Sequence, residues 1–292
     1  MARISVVGSG RLGTALAIAL RKTGYSIDVL AARTLPGARK AAILLDAPVR
    51  ELNFKQLGKL PSSSLVIIAT PDDQIEKVAL KLARADTRGG ETGTALHTSS
   101  ALSSTTLSPL AERGWHVGSI HPLVAVSEPR SGARALRGAF WCIEGDTEAL
   151  RMARRIVADL KGQSFSLNAK RKPLYHAAAV MASGNMVALF DVALEMLSHC
   201  GLTSKEAQRV LLPLVESTVR NLSLSEPARA LTGTFARGDL ATVKLHMEAL
   251  SSSGISDALQ LYRLLGRRAV ALARKNGVKP EILRKIRKAL GG

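Results

Sequence analysis

Three glycines, Gly8, Gly10 and Gly13, lie between the apolar run Ile4–Val7 and an amphipathic stretch that begins at Arg11. In Gly8-Ser9-Gly10-Arg11-Leu12-Gly13 each glycine has its own task, provided a strand precedes and a helix follows. Gly8 permits the tight turn out of the strand. Gly10 lets the backbone approach a pyrophosphate, and Gly13 lets the helix lie close on the strand. The helix N-terminus then offers free N–H groups and a partial positive charge to phosphates. This is the chemistry of holding a dinucleotide. An acid about 20 residues further on would accept the ribose 2′-hydroxyl of NAD. The sequence there reads Ala31-Ala32-Arg33-Thr34, with no carboxylate. Arg33 and Thr34, with Arg39 and Lys40 nearby, suit a 2′-phosphate instead, and a guanidinium also stacks on adenine. The expected cofactor is therefore NADP(H).

Two further polar segments follow apolar runs. Ala69-Thr70-Pro71 ends the run Leu65–Ala69, and Thr98-Ser99-Ser100 ends Ala95–His97. In open α/β sheets ligands lie at the carboxyl ends of strands, so Thr98 and Ser99 could meet the ribose or nicotinamide. A dinucleotide supplies hydride, and the accepting carbonyl or imine then needs a proton donor. Lys172, Tyr175 and His176 cluster at the start of a helical pattern. Lys172 and His176 are four apart and share a helix face, so either could donate the proton. His121, ahead of Pro122, could line the cleft as the next candidate. Asn185 is a further polar candidate, nine residues past His176. Asp239 reads first as the N-cap of the helix carrying Thr242 and His246. Arg171, Lys172 and Arg237 could lend a pocket a positive field that favours an anionic substrate.

These residues need elements to hold them. Strands are expected at Ile4–Val7, Ile27–Leu30, Leu65–Ala69, Ala95–His97, Val117–Ile120, Phe140–Ile143 and Ser164–Leu167. Helices are expected at Arg11–Lys22, from a cap at Asp72 to about Ala83, and at Glu148–Leu160. Such alternation implies a doubly wound parallel sheet. From Lys172 onward only helical patterns remain, approximately 174–199, 204–222, 239–250, 257–275 and 280–290. The expected architecture is an α/β domain over 1–168 followed by an all-α domain over 169–292.

The whole chain excludes several classes. Its 292 residues are 46% hydrophobic but only 3% aromatic, so aliphatic side chains must do most of the packing. No uninterrupted apolar run of the ~20 residues a membrane span needs is apparent, and no cleavable leader is recognisable at the N-terminus. A cytoplasmic protein without membrane contact is expected. Cys142 and Cys200 make no disulfide framework. The six histidines lack metal-ligand spacing, so no metal is expected. The net charge is +18, and ten Lys/Arg with one acid, Glu281, fall between Arg263 and Lys288. The same stretch keeps helical apolar spacing, which reads first as an amphipathic helix pair with a solvated basic face. With no aromatic platform, nucleic acid is not expected as a partner.

Taken together, Gly8–Gly13, Ala69-Thr-Pro-Asp72, Leu96-His-Thr-Ser99 and His121-Pro122 resemble the Rossmann half of a family of NADP-dependent oxidoreductases. That family is related to pyrroline-5-carboxylate reductase, 3-hydroxyacid dehydrogenases and ketopantoate reductase. The second half resembles the helical C-terminal domain of unknown function that accompanies it, through Tyr175-His-Ala-Ala-Ala179, Ala182-Ser-Gly-Asn185, Leu231-Thr-Gly233, Arg237-Gly-Asp239 and His246. Two positions depart from the family pattern: Gly184 separates Ser183 from Asn185, and Thr234 follows Gly233 where proline is expected. The resemblance implies NADP(H) binding, hydride transfer and a homodimer joined through the helical domains. It names no substrate. A non-catalytic dinucleotide sensor is the alternative, because a fold does not determine a function.

Overall fold

The computed structural model describes residues 3–61, 65–85 and 93–291. In chain order the first elements are β1 (Arg3–Val7), α1 (Arg11–Lys22), β2 (Ser26–Ala32), α2 (Leu35–Leu45), β3 (Arg50–Asn53), β4 (Leu65–Ile68) and α3 (Asp72–Arg84). They are followed by β5 (Thr94–His97), α4 (Ser108–Ala111), β6 (His116–Pro122), α5 (Pro129–Ala135), β7 (Phe140–Gly145), α6 (Thr147–Asp159) and β8 (Gln163–Ser166). The eight strands form one sheet in the order β3-β2-β1-β4-β5-β6-β7-β8. Neighbours run parallel except β6 and β7, which pair antiparallel with His121 opposite Cys142.

The strand sequences explain the layering. A strand's side chains alternate between faces, and here both faces are apolar because both are covered by helices. Ile4, Val6, Leu65 and Ile67 join one core with Leu16 and Leu20 of α1 and Ile156 of α6. Val7, Val66 and Ile68 face the other way, into a core with Ile75 and Val78 of α3. Asp146 fastens the antiparallel corner: its carboxylate caps α6 at Ala149 N (2.9 Å) and accepts from Val117 N of β6 at 2.6 Å.

The remaining elements are helical: α7 (Lys172–Ala182), α8 (Gly184–His199), α9 (Ser204–Leu224), α10 (Pro227–Ala230), α11 (Gly233–Arg237), α12 (Leu240–Ser252), α13 (Ala258–Lys275) and α14 (Pro280–Ala289). Asp239 caps α12 as expected, accepting from Thr242 N at 3.0 Å. The helical elements have a small core of their own, with Val243, Val270, Ala273, Leu283, Ile286 and Leu290.

Three expectations meet differences. The expected helix over 174–199 is two helices, because Ser183 leaves helical geometry (φ −127°, ψ −79°). The compact units are Met1–Ser183 and Gly184–Gly292, so α7 belongs with the sheet and the division falls past residue 168. The third difference concerns hydropathy. By length and composition, the helical run Ala169–His199 is apolar enough to cross a membrane, with a mean hydropathy of 1.6 in its best window. No unbroken apolar string is needed to reach that value, because Ala, Val, Leu and Met outweigh the few polar residues between them. Leu174, Met181, Val187, Val210, Leu214, Leu222 and Leu224 on α7–α9 are all exposed.

Candidate functional site

The glycine turn is built as its spacing requires. Gly8 has φ +107°, and a Cβ there would lie 2.5 Å from the Ala69 carbonyl group and 2.6 Å from Thr70 N. A Cβ on Gly13 would meet the Gly8 oxygen at 2.0 Å. Both positions must be glycine for α1 to press on the β1–α1 turn and for that turn to lie against the end of β4. Gly10, by contrast, has no atom within 4 Å of an added Cβ. It is also the N-cap of α1 and supplies no side-chain cap. The first-turn N–H groups of Arg11, Leu12 and Gly13 lack intrahelical acceptors and are left for a ligand. Around this open space, Ser9 Oγ and Thr70 Oγ1 are buried without a hydrogen-bond partner. Buried hydroxyls are rarely left unpaired, and a phosphate or ribose oxygen would satisfy them. The residues present thus fit a dinucleotide.

Beside the turn, Gly8 N and Ser9 N both donate to Ala31 O, at 2.8 and 3.0 Å, which brings the end of β2 against it. Arg33 follows, exposed, and no ion pair engages it among the described residues. Arg39 is differently placed: its guanidinium pairs with Glu51 at 3.2 Å. Thr34 caps α2, accepting from Gly37 N at 3.3 Å, and can still donate its hydroxyl proton. At the next strand ends Ala69 N bonds Val7 O, Thr98 N bonds Ile68 O, and Pro71 starts α3. Asp72, expected as the α3 cap, instead accepts from Ser99 Oγ at 2.9 Å.

The same carboxyl edge gathers the polar residues of α7. His176 Nδ1 and Ser100 Oγ are 2.6 Å apart, which fixes the imidazole and leaves Nε2 for another partner. His121 Nδ1 and Tyr175 Oη are 2.7 Å apart, with the rings edge to face. Phe165 packs against the other side of Tyr175. Lys172 was expected as a candidate proton donor, but the structure turns it inward. It is fully buried, its Nζ donates to Ser119 Oγ at 2.6 Å, and it lies 3.6 Å from Glu144 Oε2. An ammonium without exposed surface does not meet a substrate directly; here it fastens α7 to β6 and β7. Burial pushes its pKa down, against the pull of Glu144. Burial also pushes Glu144 up, but bonds from Ser104 and the field of Lys172 outweigh this and hold the carboxylate ionised. Asn185 is the second residue of α8 and of the second compact unit, after Gly184.

Against this geometry stand the comparisons. Residues 1–122 match a protein-family model described as a Rossmann-like domain, and residues 139–269 match DUF2520, a domain of unknown function. The N-terminal part is thus Rossmann-like in fold, and neither match spans half of the chain. A search of curated proteins returns no match. Among solved structures it is similar to a candidate NADP oxidoreductase from Bacteroides fragilis, at 22% identity and TM-score 0.73, covering 92% of this chain and 97% of that one. A Thermotoga maritima protein is similar at 22% identity and TM-score 0.75, over 93% and 99% of the two chains. Pyrroline-5-carboxylate reductase from Coxiella burnetii is similar at 13% identity and TM-score 0.55, over 99% and 96%. At these identities the likeness is one of fold. The DUF2520 match starts at Ala139, so the chain completes its sheet with β7 and β8 from the second match.

Glu144, Ser119 and Ser104 escaped sequence reasoning, whereas Ser100 belongs to the run Thr98-Ser99-Ser100 expected to face the ligand. Each of the first three is an ordinary polar residue in a strand or turn, and the one available hint was that run after a buried strand. His97 is part of the same network. Ser99 N donates to its Nδ1, so Nε2 carries the proton and donates to Ser103 O at 3.1 Å. Burial, reinforced by Lys172, lowers its pKa to about 4. His121 is lowered to about 4 as well, by burial and then by His176 and Lys172. Both are neutral in the folded protein near pH 7, whereas an unfolded histidine titrates near 6.5. Their contribution to stability is therefore complete above about pH 6.5 and is lost as pH falls towards 4. For His97 the full loss is roughly 3 kcal/mol. Urea unfolding at pH 7.5, 5.5 and 4.5 should show stability falling on acidification, and His97→Gln should flatten the trend. A wild-type profile level across this range would contradict the assignment.

Proposed function

We propose that the protein is a cytoplasmic NADP(H)-dependent oxidoreductase that transfers hydride to or from a small, anionic carbonyl or imine compound. The observation that carries this is the dinucleotide cradle, with its unpartnered Ser9 and Thr70 hydroxyls, on the same sheet edge as the Ser100–His176 and His121–Tyr175 pairs. Bound NADPH supplies the hydride. The chain's own residues do the rest. Gly10 and the α1 N-terminus receive the pyrophosphate, and Arg33 and Thr34 receive the 2′-phosphate. Ser100 orients His176 so that Nε2 can hold or release a proton. Tyr175 stays a neutral phenol, because burial raises its pKa, and it holds the His121 ring in place. Lys172 is paired inside the protein with Glu144; exposed Arg171, at the uncapped start of α7, is the cation that would draw an anionic substrate.

Calorimetry with NADPH and NADH tests the cofactor. Arg33→Asp should weaken NADPH by roughly 1.5–3 kcal/mol, the scale of a charge-assisted hydrogen bond. Gly10→Ala should weaken it too while leaving the melting temperature unchanged, because its Cβ enters open space. Equal or tighter NADH binding by the unaltered protein would remove the NADP assignment.

His176→Ala should lower kcat by about 10²–10⁴-fold, the contribution of a general acid, with NADPH affinity preserved. The assay follows NADPH absorbance over a panel of oxo acids, imines and aldehydes. Full turnover by the variant would move the donor to His121. No oxidation with any compound would favour the sensor reading, in which the cradle binds dinucleotide and nothing reacts.

The exposed apolar face of α7–α9 supports a second copy of the chain as its cover, because helices apolar on several sides must be buried on several sides. Light scattering at micromolar concentration should return about twice the chain mass of 31.0 kDa. A monomer would refute the homodimer.

A further inference from the structure

We infer that the groove between α13 and α14 is a second anion site, independent of the dinucleotide cradle, that binds the phosphodiester backbone of a nucleic-acid strand without reading its bases. The groove has a volume of about 940 Å³. Five cations line it: Arg267, Arg274 and Lys275 from α13, and Arg284 and Arg287 from α14. No carboxylate lines it, and none of the five is ion-paired among the described residues. Like charges across one groove repel each other, and no ion pair among the described residues offsets this. An anion would.

The lining chemistry narrows the anion. Four of the five cations are arginines, whose planar forks match phosphate oxygens two at a time. On α13, Arg267 and Arg274 are seven residues apart, two turns along one face, which spans about 10 Å. That is room for about three phosphates at the ~3.4 Å axial spacing of one duplex strand. Val270 and Leu283 form the floor, and no aromatic side chain lines the groove. Bases therefore have nothing to stack on. The absence of aromatics argues against base reading but leaves backbone binding untouched, because phosphate contacts position a strand and carry no sequence information.

A membrane surface fits less well. A helix lying in a bilayer interface must offer its apolar face to lipid. In α14 that face is already used: Leu283, Ile286 and Leu290 are buried in the helical core. Only the basic side is presented outward.

The test is fluorescence anisotropy of the full chain with a labelled 20-base-pair duplex of mixed sequence, across a salt series. Neutralising about three phosphates predicts a slope of log K against log[salt] close to −2.7. The triple variant Arg274→Glu, Arg284→Glu, Arg287→Glu should weaken binding at least 30-fold and take most of the slope away. A control with the same charge change on the sheet unit, Arg134→Glu, Arg137→Glu, Arg154→Glu, should weaken it less than threefold. Both triples should keep wild-type NADPH affinity and melting temperature, and saturating NADPH should leave duplex binding unchanged. Equal losses in the two triples would reduce the effect to bulk charge and overturn the site. Competition by NADPH would place the strand at the glycine turn and overturn it equally. Binding to phosphatidylserine vesicles in preference to the duplex would make the groove a lipid surface.

Discussion

Taking an ammonium out of water costs several kcal/mol unless charge and hydrogen bonds meet it inside. The lysine at residue 172 is fully buried, and Ser119 and Glu144 meet it. Glu144 needs partners in turn and finds them in Ser104 and Ser103. Because β6, β7 and the turn after β5 each contribute, the network cannot form unless the sheet is complete at its antiparallel corner. Once formed, it holds the first turn of α7 in one place. Three and four residues on, Tyr175 and His176 then reach His121 and Ser100. Removing the lysine would leave Glu144 buried beside no cation, and leave α7 tied to the sheet by its two surface-facing pairs alone.

Parts of this were legible from sequence because they are local. The Gly8–Gly13 spacing, the apolar strand before it and the helix Arg11–Lys22 all depend on residues a few positions apart, and the structure reproduces them. The buried runs Leu65–Ile68 and Thr94–His97 likewise state their own burial. Strand direction is not local. Phe140–Gly145 has the same apolar pattern whether it runs parallel or antiparallel, and its reversal follows from α5 and the loop that returns the chain to the same sheet edge. The break at Ser183 was hidden for a similar reason, since Ala182-Ser183-Gly184 contains no proline and sits within a continuous apolar periodicity. Lys172 carried a misleading signal. Its spacing from His176 placed both on one helix face correctly, but a shared face does not say how deep each side chain lies.

The two anion-binding features of the chain differ in physical kind. The glycine cradle works through backbone: N–H groups, close approach and a helix terminus, with Arg11 and Arg33 the charges at its edge. The α13–α14 groove works through side-chain charge alone. The first is insensitive to the overall charge of +18, because it depends on atoms within hydrogen-bond reach. The second depends on that charge being unevenly distributed, and on the helical core taking up the apolar face of α14 so that its arginines remain outward. The amphipathic pattern read from sequence is thus a necessary condition for the groove, and an amphipathic helix and a phosphate-binding surface are not competing descriptions of it.

What the fold leaves to the site is the choice of substrate. The sheet edge determines where a nicotinamide could lie, and the α7 anchor determines where His176 and His121 stand relative to Thr98 and Ser99. Neither bears on the size or charge of the molecule reduced. The charge of Lys172 is answered by Glu144 inside the protein. Recognition of an anion then rests on Arg171 and the α7 N-terminus, both exposed and both screened by water. Exposed charges of this kind contribute little to affinity. Selectivity then falls to shape and to the few fixed hydrogen bonds, Ser100–His176 and His121–Tyr175 among them, which hold both imidazoles in place.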